Sequence, residues 1–101
     1  MYIYISGPIS GDPEYRNAFL AAEQKIKDLG HVPMNPARMA DIAPGLKYEQ
    51  YIDLDMELLK ICDAIYLMPG WEKSRGANRE YGYALGVGMK VIKSLEDADW
   101  R

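Results

Sequence analysis

The chain has 101 residues, enough for one domain with a modest core. It is 49% hydrophobic and 27% charged with a net charge of −3, ordinary values for a soluble globular protein. No basic block marks a nucleic-acid surface and no apolar run is long enough to span a bilayer, which argues against polymeric nucleic acid and membrane as partners.

Tyr2-Ile3-Tyr4-Ile5-Ser6 reads as a buried strand, rich in aromatic and β-branched residues. A strand this close to the start predicts a chain without a signal peptide. Gly7-Pro8-Ile9-Ser10-Gly11 is a loop. Asp12 is placed to cap a helix and Pro13 suits its first position. Tyr15, Ala18, Phe19, Ala22, Ile26 and Leu29 then recur at helical spacing, and Gly30 closes the helix. A short strand is expected at 31–34, at a sheet edge because of Pro33. His31, the single histidine, reads as structural there.

Residues 35–46 form a loop with allowance for one helical turn. The pattern predicts a helix over 47–62, a strand over 64–68 opened by Asp63, and a loop over 69–75. A helix over 76–88, a strand over 90–93 and an acidic tail containing Trp100 complete the chain. Cys62 falls on an apolar helix stripe and reads as core. One cysteine excludes an internal disulfide and suits a reducing cytoplasm. One cysteine with one histidine argues against a zinc site or a Cys–His pair in a single chain.

Strands alternating with helices imply an α/β fold: a single-domain, flavodoxin- or Rossmann-like three-layer sandwich. Its parallel sheet has about four strands in the order 2-1-3-4. The switch point then lies between the first and third strands, so the loops after Ser6 and Met68 face each other across a cleft.

Three features carry the functional signal. Ser74-Arg75-Gly76-Ala77-Asn78-Arg79-Glu80 places Glu80 in the first turns of a helix, at the carboxyl edge of the sheet where ligands bind. Glu80 is a candidate nucleophile or acid–base group; the alternative is an acid that favours the helix dipole. On a wheel of roughly 100° per residue, Asp55 falls within the apolar arc of Tyr48, Tyr51, Ile52, Leu58, Leu59 and Cys62. A carboxylate there is costly unless paired, so it is a site group or a structural partner. Trp71 and Tyr4 are candidates to stack on or orient a ligand, with a lid over the core edge as the alternative for Trp71. Gly82 and Gly86 share one helix face and predict close packing of that face on the sheet.

Tyr4-Ile5-Ser6-Gly7-Pro8-Ile9-Ser10-Gly11, Asp55, Ser74 and Glu80 together resemble the nucleoside 2-deoxyribosyltransferase superfamily over nearly the whole chain. The likeness is to its small uncharacterised members and its 2′-deoxynucleoside 5′-monophosphate N-glycosidases. Gly76, Glu80, Gly82 and Ala84 fit the family pattern Gly-x-x-x-Glu-x-Gly-x-Ala, whose glutamate is the nucleophile. The resemblance implies cleavage or transfer of an N-glycosidic bond through a glycosyl-glutamate at Glu80, with Asp55 near the base and Tyr4 orienting the nucleophile. It implies substrate contacts from Ser6, Gly7, Pro8, Ile9, Ser10, Gly11, Ser74 and Gly76, to which Trp71 is added as a stacking candidate. It also implies a nucleoside or nucleotide substrate, no cofactor or metal, and a homodimer or larger homo-oligomer.

Pro8 and Ser10 stand where the monophosphate enzymes carry serine and arginine, while Ser74 matches those enzymes. Arg75, Arg79 or backbone N–H groups of the first loop are the candidate substitutes for phosphate binding. Two other functions compete. One is a non-catalytic nucleotide-sensing module on the same fold. The other is a phosphoribohydrolase, whose glycine spacing does not fit here.

Overall fold

The computed structural model describes residues 1–9, 13–98 and 100. The expected contacts of Ser10 and Gly11 and the expected cap Asp12 lie outside the described residues. In chain order the elements are β1 (Tyr2–Ser6), α1 (Tyr15–Asp28), β2 (Val32–Met34), α2 (Met39–Ile42), α3 (Tyr48–Lys60), β3 (Ala64–Leu67), α4 (Arg75–Val87) and β4 (Lys90–Ile92). Short 3-10 turns at Pro36–Arg38 and Trp71–Lys73 precede α2 and α4.

The four strands form one parallel sheet in the order β2-β1-β3-β4, as the alternation of strands and helices predicts. Alternate side chains of each strand leave for opposite faces. Ile3, Ile5, Ala64 and Ile92 pack with Phe19, Ala22 and Ile26 of α1. Tyr4, Ile65 and Leu67 pack with Leu59 of α3 and Ala84 of α4. The result is three layers, with α1 on one face and α3 and α4 on the other.

Local chemistry sets the element ends. α1 starts at Tyr15, two residues after the expected Pro13, and Glu14 stands at its N-cap without a side-chain capping bond. Its far end is closed by Gly30 at φ 86°, with His31 N–H bonding Ile26 C=O at 3.1 Å and Gly30 N–H bonding Lys27 C=O at 2.9 Å. Of the expected apolar stripe of α1, Ala18 and Leu29 are exposed instead. Pro33 sits in β2, an edge strand, where its missing N–H costs no ladder bond. His31 stacks on Trp100 with ring centroids 4.3 Å apart, which fits its structural reading.

Gly82 and Gly86 correct an expectation. Both are exposed, and a Cβ at either would meet nothing within 4 Å. The face of α4 that approaches the sheet is made by Ala77 and Ala84.

Candidate functional site

The carboxyl ends of β1 and β3 open into a cavity of about 810 Å³. Tyr4 and Ser6, two residues apart on β1, project from the face covered by α4. Glu80 lies three residues after Ala77 and four before Ala84, on the stripe of α4 that faces the sheet. The three side chains therefore meet. The Tyr4 hydroxyl donates to Glu80 Oε2, and the Ser6 hydroxyl donates to Glu80 Oε1 at 2.7 Å. Hydrogen bonds to a charged acceptor stabilise by about 1.5–3 kcal/mol each.

The loop after β1 runs close against the loop after β3. A Cβ on Gly7 would come within 2.6 Å of Met68 Cε and 3.1 Å of Met68 Cβ, so a larger residue there would make the Met68 side chain shift. Gly70 turns the second loop at φ 88°, with Pro8 Cγ 3.6 Å from where its Cβ would stand. Gly7, Pro8 and Ile9 line the cavity from one side, and Ser74 and Gly76 from the other. The Ser74 hydroxyl also caps α4 by accepting from Ala77 N–H at 3.2 Å.

Asp55 lines the same cavity from α3. Among the described residues, its buried Oδ1 has no hydrogen-bond partner. Burial first, and the Glu80 charge second, push Asp55 up to about 7. Glu80 is also raised by burial, while the bonds from Tyr4 and Ser6 and the Arg79 charge pull it back. The Tyr4 phenol is held well above its ordinary value by burial and the Glu80 and Asp55 charges, so it stays a donor. The two carboxyls are unequal. Glu80 has two donors that favour its anion, and Asp55 has none on Oδ1.

Trp71 does not line the cavity. Its ring packs edge-to-face on Tyr81 at 4.9 Å, with Lys93 Nζ 5.6 Å from its centroid. The ring also packs against the buried cluster that holds Tyr4, Leu59 and Ala84. The cavity wall also holds residues without an earlier functional signal: Tyr15 and Phe19 of α1, then Pro36, Ala37 and Ala40. Tyr15 and Phe19 are spaced for one helix face, but that spacing reads equally as core. Tyr48, Tyr51 and Ile52 of the apolar arc turn to the cavity and not to a closed core. Lys73 and Arg75 are also among the lining residues.

The fold is similar to two solved enzymes. The 2-deoxyribosyltransferase of Bacillus psychrosaccharolyticus superposes with a TM-score of 0.71 at 22% identity, over 90% of this chain and 69% of that one. The 2-deoxyribosyltransferase of Leishmania mexicana gives a TM-score of 0.68 at 24% identity, over 89% of this chain. The chain spans 61% of the length of the Leishmania enzyme. At these identities the likeness is one of fold. No curated protein matches the chain. The sequence profile of a domain of unknown function, DUF4406, matches residues 1–93, and the chain belongs to that family.

Proposed function

We propose that this chain cleaves or transfers the N-glycosidic bond of a (deoxy)nucleoside or nucleoside 5′-monophosphate, with Glu80 as nucleophile. The observation that carries this reading is the Glu80 carboxylate, gripped through both oxygens by Tyr4 and Ser6 in a cavity that also holds Asp55, whose Oδ1 has no hydrogen-bond partner among the described residues. The cavity is in the size range of small-molecule sites, and its aromatic walls suit a heteroaromatic base. The fold shared with two 2-deoxyribosyltransferases supports the same reading.

In the proposed reaction a Glu80 oxygen attacks C1′ of the sugar. The C1′–N bond breaks and its electron pair leaves with the base. Asp55, protonated near neutral pH, gives its proton to the departing base. Water or a second base then attacks C1′, breaks the ester and returns Glu80 as a carboxylate. The proton released at that step goes back to Asp55. Tyr4 and Ser6 keep the carboxylate aimed throughout. Lys73 and Arg75, with Ser74 between them, suit a 5′-phosphate at the cavity lining. On this reading residues 1–101 are one nucleoside 2-deoxyribosyltransferase-like domain that needs no cofactor, works in the cytoplasm and assembles as a homo-oligomer.

The test is incubation with nucleosides and nucleoside 5′-monophosphates, with and without an acceptor base, with free base and new nucleoside followed by chromatography. Glu80→Ala should reduce base release below detection while circular dichroism stays unchanged. A 2′-fluoro analogue should leave a sugar adduct on the peptide that contains Glu80. Undiminished release by Glu80→Ala removes Glu80 from the mechanism.

A further inference from the structure

A second misplaced carboxylate lies on α1. Glu23 falls between Phe19 and Ile26 on the buried stripe, and it is 7% exposed. Burying a carboxylate is costly unless it is paired and hydrogen-bonded. Lys27 Nζ of the same helix lies 3.8 Å from Glu23 Oε2, and the hydrogen-bond partners come from the segment 35–46. Arg38 Nε donates to Glu23 Oε1 at 2.7 Å, and Arg38 Nη2 to Oε2 at 2.6 Å. This is the bidentate fork that fixes geometry as well as distance. Asn35 Nδ2 adds a bond to Oε1 at 3.3 Å, and Asn35 Oδ1 accepts from Ala37 N–H at 3.0 Å. Glu23 therefore grips both ends of the turn Pro36–Arg38.

That turn forms part of the cavity wall, through Pro36 and Ala37, and Ala40 follows in α2. The far end of the segment is tied to α3. The Tyr51 hydroxyl donates to Ala43 C=O at 2.8 Å and accepts from Leu46 N–H at 3.2 Å. The Tyr51 ring lines the cavity as well. Arg16 and Asp41 add a pair at 3.0 Å, both side chains exposed, so its contribution is small.

We infer that the segment 35–46 is a fixed wall of the ligand cavity, and that Glu23 and Arg38 are positioning residues that set its depth. Neither residue lines the cavity; both act through Pro36, Ala37 and Ala40. The ligand side of this inference rests on the proposed function, whereas the latch rests on geometry alone. Arg38 keeps the Glu23 carboxyl at about 2, so the latch is ionised across the working pH range.

The test uses Arg38→Ala, Arg38→Lys and Glu23→Gln in the full chain, read in two arms. In hydrogen exchange, Arg38→Ala should speed exchange in 35–46 by about tenfold or more while β1, β3 and α4 keep their protection. In kinetics on a 2′-deoxynucleoside that the wild type turns over, KM should rise about tenfold with kcat within about twofold, because a loosened wall weakens binding and not chemistry. Arg38→Lys, which keeps the charge and loses the fork, should fall between wild type and Arg38→Ala. Unchanged exchange in 35–46 overturns the latch. Faster exchange with an unchanged KM overturns the wall's contact with ligand. A global loss of protection in Arg38→Ala reduces the pair to a stability element and also overturns the inference; Glu23→Gln, with its side-chain volume kept, repeats that decision in a milder variant. A wild type that acts on no nucleoside overturns the proposed function and the ligand half together, and the exchange arm still decides the latch.

Discussion

Asp55 and Glu80 are two carboxyls in one cavity, and their surroundings divide the work between them. Glu80 receives two hydroxyl donors, and among the described residues Asp55 Oδ1 receives none. One proton shared by the pair therefore belongs on Asp55. The rate of base release should fall as pH rises through about 7, where Asp55 loses that proton. Asp55→Asn should lower kcat by about 10² to 10⁴-fold and flatten this alkaline limb, which a pH–rate profile reads directly. Stability follows from the same shift with a fixed sign. Asp55 holds its proton more tightly in the folded chain than the ordinary 3.8, so the folded state is favoured at low pH. That advantage is lost as pH rises from about 4 to about 7. Asp55→Asn should therefore raise stability at pH 8 by about 1–3 kcal/mol, with no gain below pH 4, as thermal melts at the two pH values would show. Tyr4→Phe removes a donor that favours the Glu80 anion. It should cost about 1.5–3 kcal/mol of catalysis and move the acid limb of the profile upward.

Among the elements, the parts that depend on local pattern were legible in the sequence. Strand order followed from alternation, Gly30 marked the end of α1, and Pro33 marked the edge strand. Asp55 was legible because an acid on an apolar helix arc violates the pattern it sits in. Glu23 carries the same signal, four residues after Phe19 and three before Ile26, and the stripe absorbed it unnoticed. Its partner Arg38 sits fifteen residues on in an irregular segment, and no periodicity reports such a contact. Ser6 read as the last residue of the first strand and a substrate contact, and its bond to Glu80 depends on how β1 and α4 superpose. The glycines of α4 misled for a related reason. Spacing puts Gly82 and Gly86 on one face but does not say which way that face points. Since both are exposed with open space around them, Gly82→Ala should stabilise the chain by about 0.5–1 kcal/mol. Chemical denaturation reads this gain, and a loss there would mean that this face is occupied after all.

At the scale of the molecule, α3 has two apolar sides and one sheet. Leu59 is the residue of α3 that is fully buried, and Asp55, Tyr51 and Ile52 border the cavity. Tyr51, Leu54, Leu58 and Ile61 run along the helix at steps of three and four, the seam that a second helix fills. Leu54 and Leu58 are half-buried, and Ile61 is 62% exposed. Tyr48, one turn before Tyr51, is 64% exposed and also lines the cavity. A neighbouring chain on this seam would bury the exposed apolar surface and reach the cavity mouth at Tyr48. A two-fold contact is the simplest closed arrangement. Light scattering at micromolar concentration should thus return twice the 11.5 kDa chain mass. Ile61→Lys, far along the helix from Tyr48, should return the single-chain mass and should lower base release per chain. Dilution of the wild type should lower it in the same way, since mass action dissolves the contact. A monomer at micromolar concentration with full activity at high dilution would show that the seam is unoccupied and that each cavity is complete in one chain.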